Sequence, residues 1–446
     1  MSNKAKATDM KEDGQPALVP KLRFPEFRDA KGWGTPRLHE LCSVITKGAT
    51  PTSYGYEYVS SGVRFVKIES LTEGTVNLSK TAFIIPECHK AFIRSQLEEN
   101  DILFSIAGAL GLVALVGCNV LPANINQALA VVRLKSGYSH QFLKHYFCSS
   151  LIQLEIQRIR AGAAQPNLSL GQLGDFQVLF PSPPEQQKIA DCLSSVDELI
   201  AAQARKLDAL KTHKKGLMQQ LFPREGETQP RLRFPEFQDA GEWVVKKLGQ
   251  IAKYTKGFAF KSQDYKNAGV RIIRVSDLGA DFIKPNNEKL YISSESEHEY
   301  ARYKLTASEI IVTTVGSKPE LVDSAVGRGI YVNSNNEGLL NQNLLKLEVL
   351  SGVNSRFLFS HINTPEYQRF IASISRGNAN QANIAVKDLM GFMIKAPRHA
   401  EQQRIADCIT TLDDLIAAQT QKLDALKTHK KGLMQQLFPS PETEEA

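Results

Sequence analysis

A segment of 39 residues occurs twice in the chain, and it constrains the possible folds more than any other feature. Residues 185–223 and 401–439 differ at only eight aligned positions, so 31 of 39 are identical. Apolar side chains recur every three or four residues in each copy, which is the spacing of one face of an α-helix. Prolines precede the first turn and follow the last, where a helix tolerates them. The repeat therefore predicts two helices, each on the order of 58 Å long.

Each predicted helix carries one apolar stripe and needs a partner, and its own duplicate is the nearest candidate. We expect an antiparallel coiled coil with a short phase shift at Gln203, where two four-residue steps follow each other. Gln203, Gln419, Lys214 and Lys430 would set the register or bind a partner. The predicted seam residues are Ile189, Val196, Leu199, Leu207, Leu210, Leu217, Ile405, Leu412, Leu415, Leu423, Leu426 and Leu433. The alternative is a plain helical hairpin that holds two domains together.

The composition is that of a soluble globular protein. The 446 residues are 42% hydrophobic and 23% charged, with a mean hydropathy of −0.25, and this length allows about two to four domains. A net charge of +7 is a weak indication of a polyanionic partner. The six cysteines lack metal-binding spacing, which favours a reducing cytoplasm. Residues 1–20 have no apolar core of a signal peptide and are expected to be a disordered tail.

One apolar run has the composition of a membrane span. Residues 102–117 are uncharged, but they fall short of the roughly 20 residues that a spanning helix needs. The corresponding run in the second half contains Lys318, Glu320 and Asp323. Both runs are therefore predicted to be buried strands with a glycine-rich turn.

Shorter matching blocks extend the repeat over two halves of about 210 residues each. Residues 21–27 return as 231–237, and each copy is followed by one of the two tryptophans, Trp33 or Trp243. We predict a structural role for this lead-in, as a strap across a domain surface. Thr-Lys-Gly at 46–48 returns at 255–257, and Asn126-Gln127 returns as Asn341-Gln342. The intervening loops scarcely align, as expected when two copies of one scaffold recognise different things.

A further pair of blocks carries side chains suited to nucleic acid. Arg160, Gln165 and Asn167 correspond to Arg376, Gln381 and Asn383. Arginine can bind guanine or phosphate with two hydrogen bonds, and asparagine or glutamine can bind adenine in the same way. An Asn/Gly turn that caps the neighbouring elements is an equally good interpretation. The sequence leaves both open.

Motifs of common catalytic centres are missing from the sequence. It contains no GxxxxGK[ST] loop, no HExxH, no GxSxG and no Cys/His cluster. Ser-Pro-Pro-Glu at 182–185 approaches the catalytic loop of an amino-methyltransferase, but its acidic residue and the lack of a second copy favour the start of a helix. We therefore predict a reader that is not an enzyme, with no metal and no cofactor of its own.

The whole pattern resembles the specificity subunit of type I restriction-modification enzymes. The resemblance covers about residues 21–439 and is carried by the paired EQQxIADC…LDxLIAAQ…KLDALKTHKKGLMQQLFP segments, the LRFPEF lead-ins and the Gln-x-Asn-[Leu/Ile] blocks. It implies a bipartite double-stranded DNA target, methyltransferase subunits, two of them in our interpretation, and restriction-translocase subunits. Those partners would use S-adenosylmethionine, ATP and Mg. The alternatives are a specificity subunit of a methylation-only system and, more distantly, a coiled-coil protein scaffold.

The predicted architecture is α+β, with two α/β target-recognition domains separated by two long antiparallel helices in a pseudo-twofold repeat. The predicted segments are a tail (1–20), the first recognition domain (21–182), a long helix (183–223), a linker (224–230), the second recognition domain (231–397), the other long helix (398–439) and an acidic tail (440–446). The predicted DNA-binding residues are Lys47, Arg160, Gln165, Asn167, Lys256, Arg376, Gln381 and Asn383.

Overall fold

The structure is a computed structural model that describes residues 18–72, 74–161, 167–279, 282–285, 287–318, 326–378 and 381–439. The chain divides into two compact units. Unit 1 comprises Met1–Ala204 and Lys422–Ala446, and unit 2 comprises Arg205–Gln421. The boundary falls inside both repeated segments, so each unit contains the first half of one long helix and the second half of the other. The domain boundaries expected from the sequence, which end each domain before its helix, stay a prediction.

Unit 1 mixes short helices and strands. Up to and including the first long helix, the elements in chain order are α1 (Leu38–Leu41), β1 (Cys42–Lys47), β2 (Val63–Val66), β3 (Leu71–Thr72), β4 (Gly74–Val76), β5 (Ala82–Ile84), α2 (Pro86–Ala91), β6 (Ile102–Ser105), β7 (Val113–Leu115), β8 (Ala123–Ile125), β9 (Leu129–Leu134), α3 (His140–Phe147), α4 (Ser150–Ala161), α5 (Leu170–Gly174) and α6 (Pro183–Leu221). One sheet has the strand order β1-β9-β6-β7-β4-β3, and a second has the order β5-β2-β8.

Unit 2 repeats the plan. From unit 2 to the end of the second long helix, the elements are β10 (Val244–Lys247), α7 (Leu248–Ile251), β11 (Ala252–Lys256), β12 (Val270–Ile273), β13 (Leu290–Ile292), β14 (Ile310–Thr313), β15 (Val315–Gly316), β16 (Gly329–Tyr331), β17 (Leu339–Leu340), β18 (Leu344–Val349), α8 (Ser355–His361), α9 (Pro365–Ile374), β19 (Arg376–Gly377), β20 (Ala382–Asn383), α10 (Val386–Leu389), β21 (Met393–Ala396) and α11 (His399–Leu437). Its sheets have the orders β11-β18-β14-β16, β13-β12-β17, β15-β20-β19 and β10-β21.

The two units share their central topology. The antiparallel order β1-β9-β6 in unit 1 corresponds to β11-β18-β14 in unit 2. The sheets β5-β2-β8 and β13-β12-β17 also correspond, because the middle strand of each, β2 or β12, has one antiparallel and one parallel neighbour. The predicted fold class, a two-domain repeat of mixed helix and sheet, is thereby confirmed.

The apolar run that has the composition of a membrane span forms buried strands, as predicted. All four residues of β6 are buried, as are all four of its counterpart β14. Both faces of these strands are buried, so their sequences are almost continuously apolar and do not alternate between apolar and polar residues. Among the described residues, no helix has the length and apolar character to cross a membrane.

The long helices begin and end close to the predicted positions. Helix α6 starts at Pro183 and α11 at His399, and each extends over 39 residues. Ser-Pro-Pro-Glu at 182–185 is therefore the start of a helix, as the sequence indicated. Ten of the twelve predicted seam residues are buried or partly buried.

The remaining two, Leu199 and Leu415, correct the predicted phase of the seam. Leu199 is 56% exposed and Leu415 is 44% exposed, whereas Leu193 is fully buried and Ile200 is partly buried. With Leu193 added and Ile200 in place of Leu199, steps of four and three residues alternate along the inward positions Ile189, Leu193, Val196, Ile200, Gln203 and Leu207, and the same steps continue to Leu221. The predicted phase shift is therefore wrong. The sequence could not decide, because Leu199 and Ile200 are adjacent and similarly apolar.

Within each unit, the two helix segments run in opposite directions. In unit 1, Ile189 near the start of α6 shares a core cluster with Leu437 at the end of α11. Further along α6, Asp197 binds the Lys430 ammonium at 2.5 Å. Unit 2 has the corresponding ion pair between Lys214 and Asp413. That the helices form one antiparallel coiled coil across both units stays a prediction.

The described residues of the predicted N-terminal tail already belong to the fold. The Trp33 backbone N–H donates to the Leu18 carbonyl oxygen at 2.9 Å, and Pro20 is buried. Residues 18–20 therefore belong to the fold, although the sequence assigned them to the tail. Residues 1–17 and the predicted acidic tail, 440–446, lie outside the described residues.

Candidate nucleic-acid interface

Two of the matching sequence blocks touch each other in unit 1. Strand β1 ends at Lys47, and Gly48 follows against the backbone of residues 125 and 126. A Cβ atom on Gly48 would lie 1.9 Å from the Ile125 carbonyl oxygen and 2.4 Å from that of Asn126. Only glycine permits so close an approach of two backbones. The Thr-Lys-Gly block is thus held against the Asn-Gln block.

Unit 2 repeats this contact. A Cβ atom on Gly257 would lie 1.9 Å from the Asn341 carbonyl oxygen. The Gly257 N–H donates to the Leu344 carbonyl oxygen at 2.9 Å. The same residue types therefore perform the same packing task in both units, which explains why these short blocks recur.

Backbone hydrogen bonds join the third block to the other two. In unit 1, the Ile106 N–H donates to the Ala128 carbonyl oxygen, and the Leu168 N–H donates to the Ile106 carbonyl oxygen, both at 2.8 Å. In unit 2, Thr314 bonds to Asn343 at 2.9 Å, and Ile384 bonds to Thr314 at 3.0 Å. We call the resulting surface the three-block edge. It comprises residues 46–48, 126–128 and 167–168 in unit 1, and residues 255–257, 341–343 and 383–384 in unit 2.

The predicted lysines are exposed at this edge. Lys47 is the last residue of β1 and Lys256 is the last residue of β11, and both side chains are exposed. Salt bridges with described residues are absent at either lysine. Two solvated ammonium groups in equivalent positions are suited to contact phosphate oxygens.

The two predicted arginines already have protein partners. The Arg160 guanidinium donates to the Leu110 carbonyl oxygen at 2.7 Å. The Arg376 guanidinium binds the Asp388 carboxylate at 2.9 Å, but its side chain is 70% exposed. An exposed pair of this kind contributes only about 0 to 1 kcal/mol. Arg160 is also an exposed residue and its hydrogen bond is only partly buried, so both guanidinium groups are accessible to a phosphate.

The predicted amides lie on a hairpin in unit 2. Asn383 of β20 pairs with Arg376 of β19 and with Val315 of β15. The Asn378 side chain accepts from the Gln381 N–H at 2.9 Å, so this residue closes the turn. The side chains of Gln381 and Asn383 are exposed. Both interpretations therefore stay open: the Asn378 side chain binds the Gln381 N–H, and the amide side chains of Gln381 and Asn383 remain on the surface. In unit 1, Asn167 is exposed and Gln165 lies outside the described residues.

Other cationic residues near strand surfaces stabilise the fold. Asp277 is fully buried, and it binds the Arg274 guanidinium at 3.0 Å. This hydrogen bond raises the pKa of Arg274. Asn287 donates to the same carboxylate at 2.7 Å. Arg274 is therefore occupied inside unit 2.

The loop at 54–58 presents aromatic rings in unit 1. Tyr54 is 65% exposed and packs edge-on against Phe92, with the ring centroids 5.3 Å apart. The Lys67 ammonium lies 4.4 Å from the centre of the Tyr58 ring. Exposed rings beside a lysine are suited to nucleic acid, since bases stack on aromatic side chains.

Sequence reasoning missed one surface cleft in unit 2. It has a volume of about 560 Å³, and its lining includes Arg271, Lys289, Lys304, Tyr291 and Asn336. Gly269 and Gly338 form part of its wall with φ angles of 134° and 146°. The sequence indicates residues 286–299 and 54–58 as equally plausible base-reading loops, and four of the lining residues belong to the first of them, although the cleft itself could not be predicted.

Fold and site together define a protein with two similar α+β recognition domains, each carrying a copy of one exposed polar edge. The family model described as "Type I restriction modification DNA specificity domain" matches residues 30–212 and 240–428. These two ranges contain most of the chain. The chain therefore belongs to the type I restriction-modification DNA specificity family, whose members recognise DNA targets and are not catalytic.

Two relatives come from Methanocaldococcus jannaschii. The putative type I restriction enzyme MjaX specificity subunit is 24% identical, and the match covers 91% of this chain and 92% of that protein. The MjaVIII specificity subunit is 23% identical over 62% of this chain and 64% of its own length, which is just under two thirds. A crystal structure of the S subunit from M. genitalium is 14% identical with a TM-score of 0.56, and it covers 95% of this chain and 100% of that one. That likeness shows a shared fold.

Proposed function

We propose that this chain reads a bipartite DNA target, with one half-site for each three-block edge. One observation carries the proposal: three separate sequence blocks converge at the end of β1 in unit 1, and the equivalent blocks converge at the end of β11 in unit 2. The framework under the two edges is the same, whereas the loops beside them differ. Such a protein can present two different sets of base contacts on one scaffold.

Phosphate contacts would position each edge on the duplex, and amide or arginine contacts would read the bases. Lys47 and Lys256 suit the first role because their side chains are exposed at equivalent positions. Gln381, Asn383 and Asn167 suit the second because their side chains are exposed. The partly occupied Arg376 is suited to either role.

Lysine 256 provides the test of this assignment. Lys256→Ala should weaken binding to all DNA sequences alike and reduce the salt dependence of the binding constant by about one unit of slope. Lys246→Ala is the matched control. Lys246 is also an exposed lysine, but it lies on β10, which precedes the start of β11, whereas Lys256 lies at the end of β11. The measurement is the affinity of the chain, together with its methyltransferase subunit, for a target duplex over a series of salt concentrations. An unchanged slope for Lys256→Ala would remove this residue, and with it the proposed edge of unit 2, from the DNA interface.

A second arm of the experiment uses the two half-sites. Replacement of the loops beside the three-block edge of unit 2 should change the preferred bases in one half-site and leave the other unaltered, because the two units contribute separately to one binding event. Mapping methylated adenines in a host genome measures both half-sites at once. A change in both half-sites would contradict separate reading by the two units.

We infer that the chain acts in the cytoplasm with methyltransferase subunits, two per complex, and with restriction-translocase subunits. Support comes from the family, from the names of its relatives and from two continuous helices of 39 residues that offer long docking faces. S-adenosylmethionine, ATP and Mg would be cofactors of those partners. Each long helix extends from one unit into the other, so a stiff helical pair would hold the unread gap between half-sites at a fixed length.

A further inference from the structure

The repeated lead-in segments, residues 21–27 and 231–237, contact both long helices. We call them straps. In unit 1, the Arg23 guanidinium binds the Glu185 carboxylate with two hydrogen bonds of 2.8 Å. The Trp33 indole N–H donates to the same carboxylate at 3.2 Å. Glu185 lies in the first turn of α6, and its side chain is only 2% exposed. The strap thus holds the start of α6.

The same strap holds the end of α11. The Leu22 N–H donates to the Gln436 carbonyl oxygen in the last turn of α11 at 3.0 Å. The Phe438 ring, which follows this turn, packs edge-on against Trp33 with the ring centroids 6.3 Å apart. Trp33 therefore contacts the start of one long helix through its N–H and the end of the other through its ring.

Unit 2 contains the same set of contacts. The Arg233 guanidinium binds Glu401 at 2.8 and 2.7 Å, and the Trp243 indole N–H donates to Glu401 at 3.2 Å. The Phe222 ring at the end of α6 lies edge-on to Trp243 at 6.2 Å. The Leu232 N–H also donates to the Gln220 carbonyl oxygen at 3.0 Å. The donor–acceptor distances of these polar contacts agree within about 0.1 Å between the two units, so the same arrangement occurs twice in the chain.

The apolar part of the seam does not by itself define a unique alignment, although the polar seam residues Gln203 and Lys214 favour one. A heptad pattern places equivalent apolar residues every seven positions, so a slip of seven residues again brings apolar side chains together. The ion pairs Asp197–Lys430 and Asp413–Lys214 favour one alignment, but their side chains are 22 to 31% exposed. Partly exposed pairs of this kind contribute little. Contacts that join one helix start to the other helix end exclude a slip directly.

We propose that each strap and its tryptophan form a clasp that fixes the register of the long-helix pair. Arg23, Trp33, Arg233 and Trp243 are positioning residues in this device. A slip of one long helix along the other would separate the glutamate carboxylate from its arginine. It would also separate Phe438 or Phe222 from the indole ring. The consequence for DNA rests on the proposed function, since a helix pair in one register would keep the unread gap at one length.

Cross-linking in unit 1 tests the register without DNA. A cysteine replaces Lys430, and a second cysteine is placed at one of three positions seven residues apart: Ala190, Asp197 or Ala204. Cys118, Cys148, Cys192 and Cys408, which are exposed or partly exposed, are replaced by alanine, and a short bis-maleimide reagent is added. With both clasps intact, the Asp197→Cys pair alone should cross-link, because Asp197 is the residue that contacts Lys430.

The clasps are then removed in a way that preserves burial. Arg23→Met with Glu185→Leu, and Arg233→Met with Glu401→Leu, replace both buried ion pairs by apolar side chains, a change that is often neutral for stability. The cross-link should then spread to the Ala190→Cys or Ala204→Cys pair. Glu26→Gln is the control, because it breaks an exposed strap-to-helix ion pair with Lys188 and should leave the pattern unchanged.

Trp33→Phe combined with Trp243→Phe is the second variant. It keeps an aromatic ring at each position and removes the indole hydrogen bonds together with part of the ring volume, while both arginine–glutamate pairs stay in place, so it should give a smaller spread than the four-residue variant. Cross-linking that stays confined to the Asp197→Cys pair in both variants would overturn the clasp proposal.

A DNA experiment separates this proposal from the proposed function. Methylation of targets whose gap is shortened or lengthened by single base pairs should occur at one gap length for the intact chain and at several lengths for the four-residue variant. A folded variant that methylates at one unchanged gap length would contradict the clasp. Absence of any gap preference in the intact chain would instead contradict bipartite reading, whatever the cross-linking pattern.

Discussion

Two glycine-to-alanine changes in unit 2 should have opposite effects on stability. At Gly257 the new Cβ atom would lie 1.9 Å from the Asn341 carbonyl oxygen and 2.7 Å from that of Leu340. Both neighbours are backbone atoms, which cannot move aside by a change of rotamer. Overpacking in a rigid site typically destabilises by about 1 to 3 kcal/mol and sometimes more, and we expect about 3 kcal/mol here. Gly216 lies inside α6 with open space around its Cβ position, so Gly216→Ala should stabilise the helix by about 1 kcal/mol.

The assay uses the distribution of tryptophans. Trp33 belongs to unit 1 and Trp243 to unit 2, and both are buried. In a Trp33→Phe background, the fluorescence of Trp243 reports the unfolding of unit 2 in urea. The free energy of unfolding of each alanine variant is compared with that of the same background. The reasoning would be refuted if Gly257→Ala unfolded at the same urea concentration as the background, or if Gly216→Ala were as destabilised as Gly257→Ala.

Two further predictions concern acid stability and assembly. Burial lowers the pKa of His361 to about 4, so protonation favours the unfolded chain, and the free energy of unfolding should fall by about 3 kcal/mol as the pH drops from about 6.5 to 4. His361→Gln should remove this part of the pH dependence in urea unfolding measured by circular dichroism, and an unchanged pH profile would count against it. Leu207→Asp with Leu423→Asp places carboxylates in the buried seam and should abolish binding of the methyltransferase subunit in size-exclusion chromatography. The matched change Leu199→Asp, on an exposed side chain, should leave the free energy of unfolding unaltered. Retained binding by the folded seam variant would locate docking away from the helices.

Much of the architecture follows from local patterns. The apolar period of residues 185–223 is sufficient to predict a helix, because the period reports which side chains one face must bury. The repeated blocks also predict a duplicated scaffold, since identical residues at equivalent positions meet identical packing demands. The lead-in residues Arg23 and Trp33 could be assigned a structural role for this reason, although their partner Glu185 could not be named.

Some residues of the candidate site could be predicted from the sequence, whereas their arrangement is visible only in the structure. Sequence comparison of the two halves found Lys47, Asn126 and Asn167 as separate matches, and the fold brings their blocks together through Gly48 and backbone hydrogen bonds. The hydrogen bond of Arg160 to Leu110 could not be predicted from the sequence, because it depends on a neighbour 50 residues away along the chain.

By itself, the sequence determined that two long helices and two similar mixed domains would form, because helix period, proline position and internal repetition are properties of the chain alone. Only the tertiary structure decided whether Leu199 or Ile200 faces inward, since the two are adjacent and equally apolar and the packed neighbours select between them. It also decided that Gly48 and Gly257 are points of backbone contact, because a close approach involves residues that lie far apart in the chain.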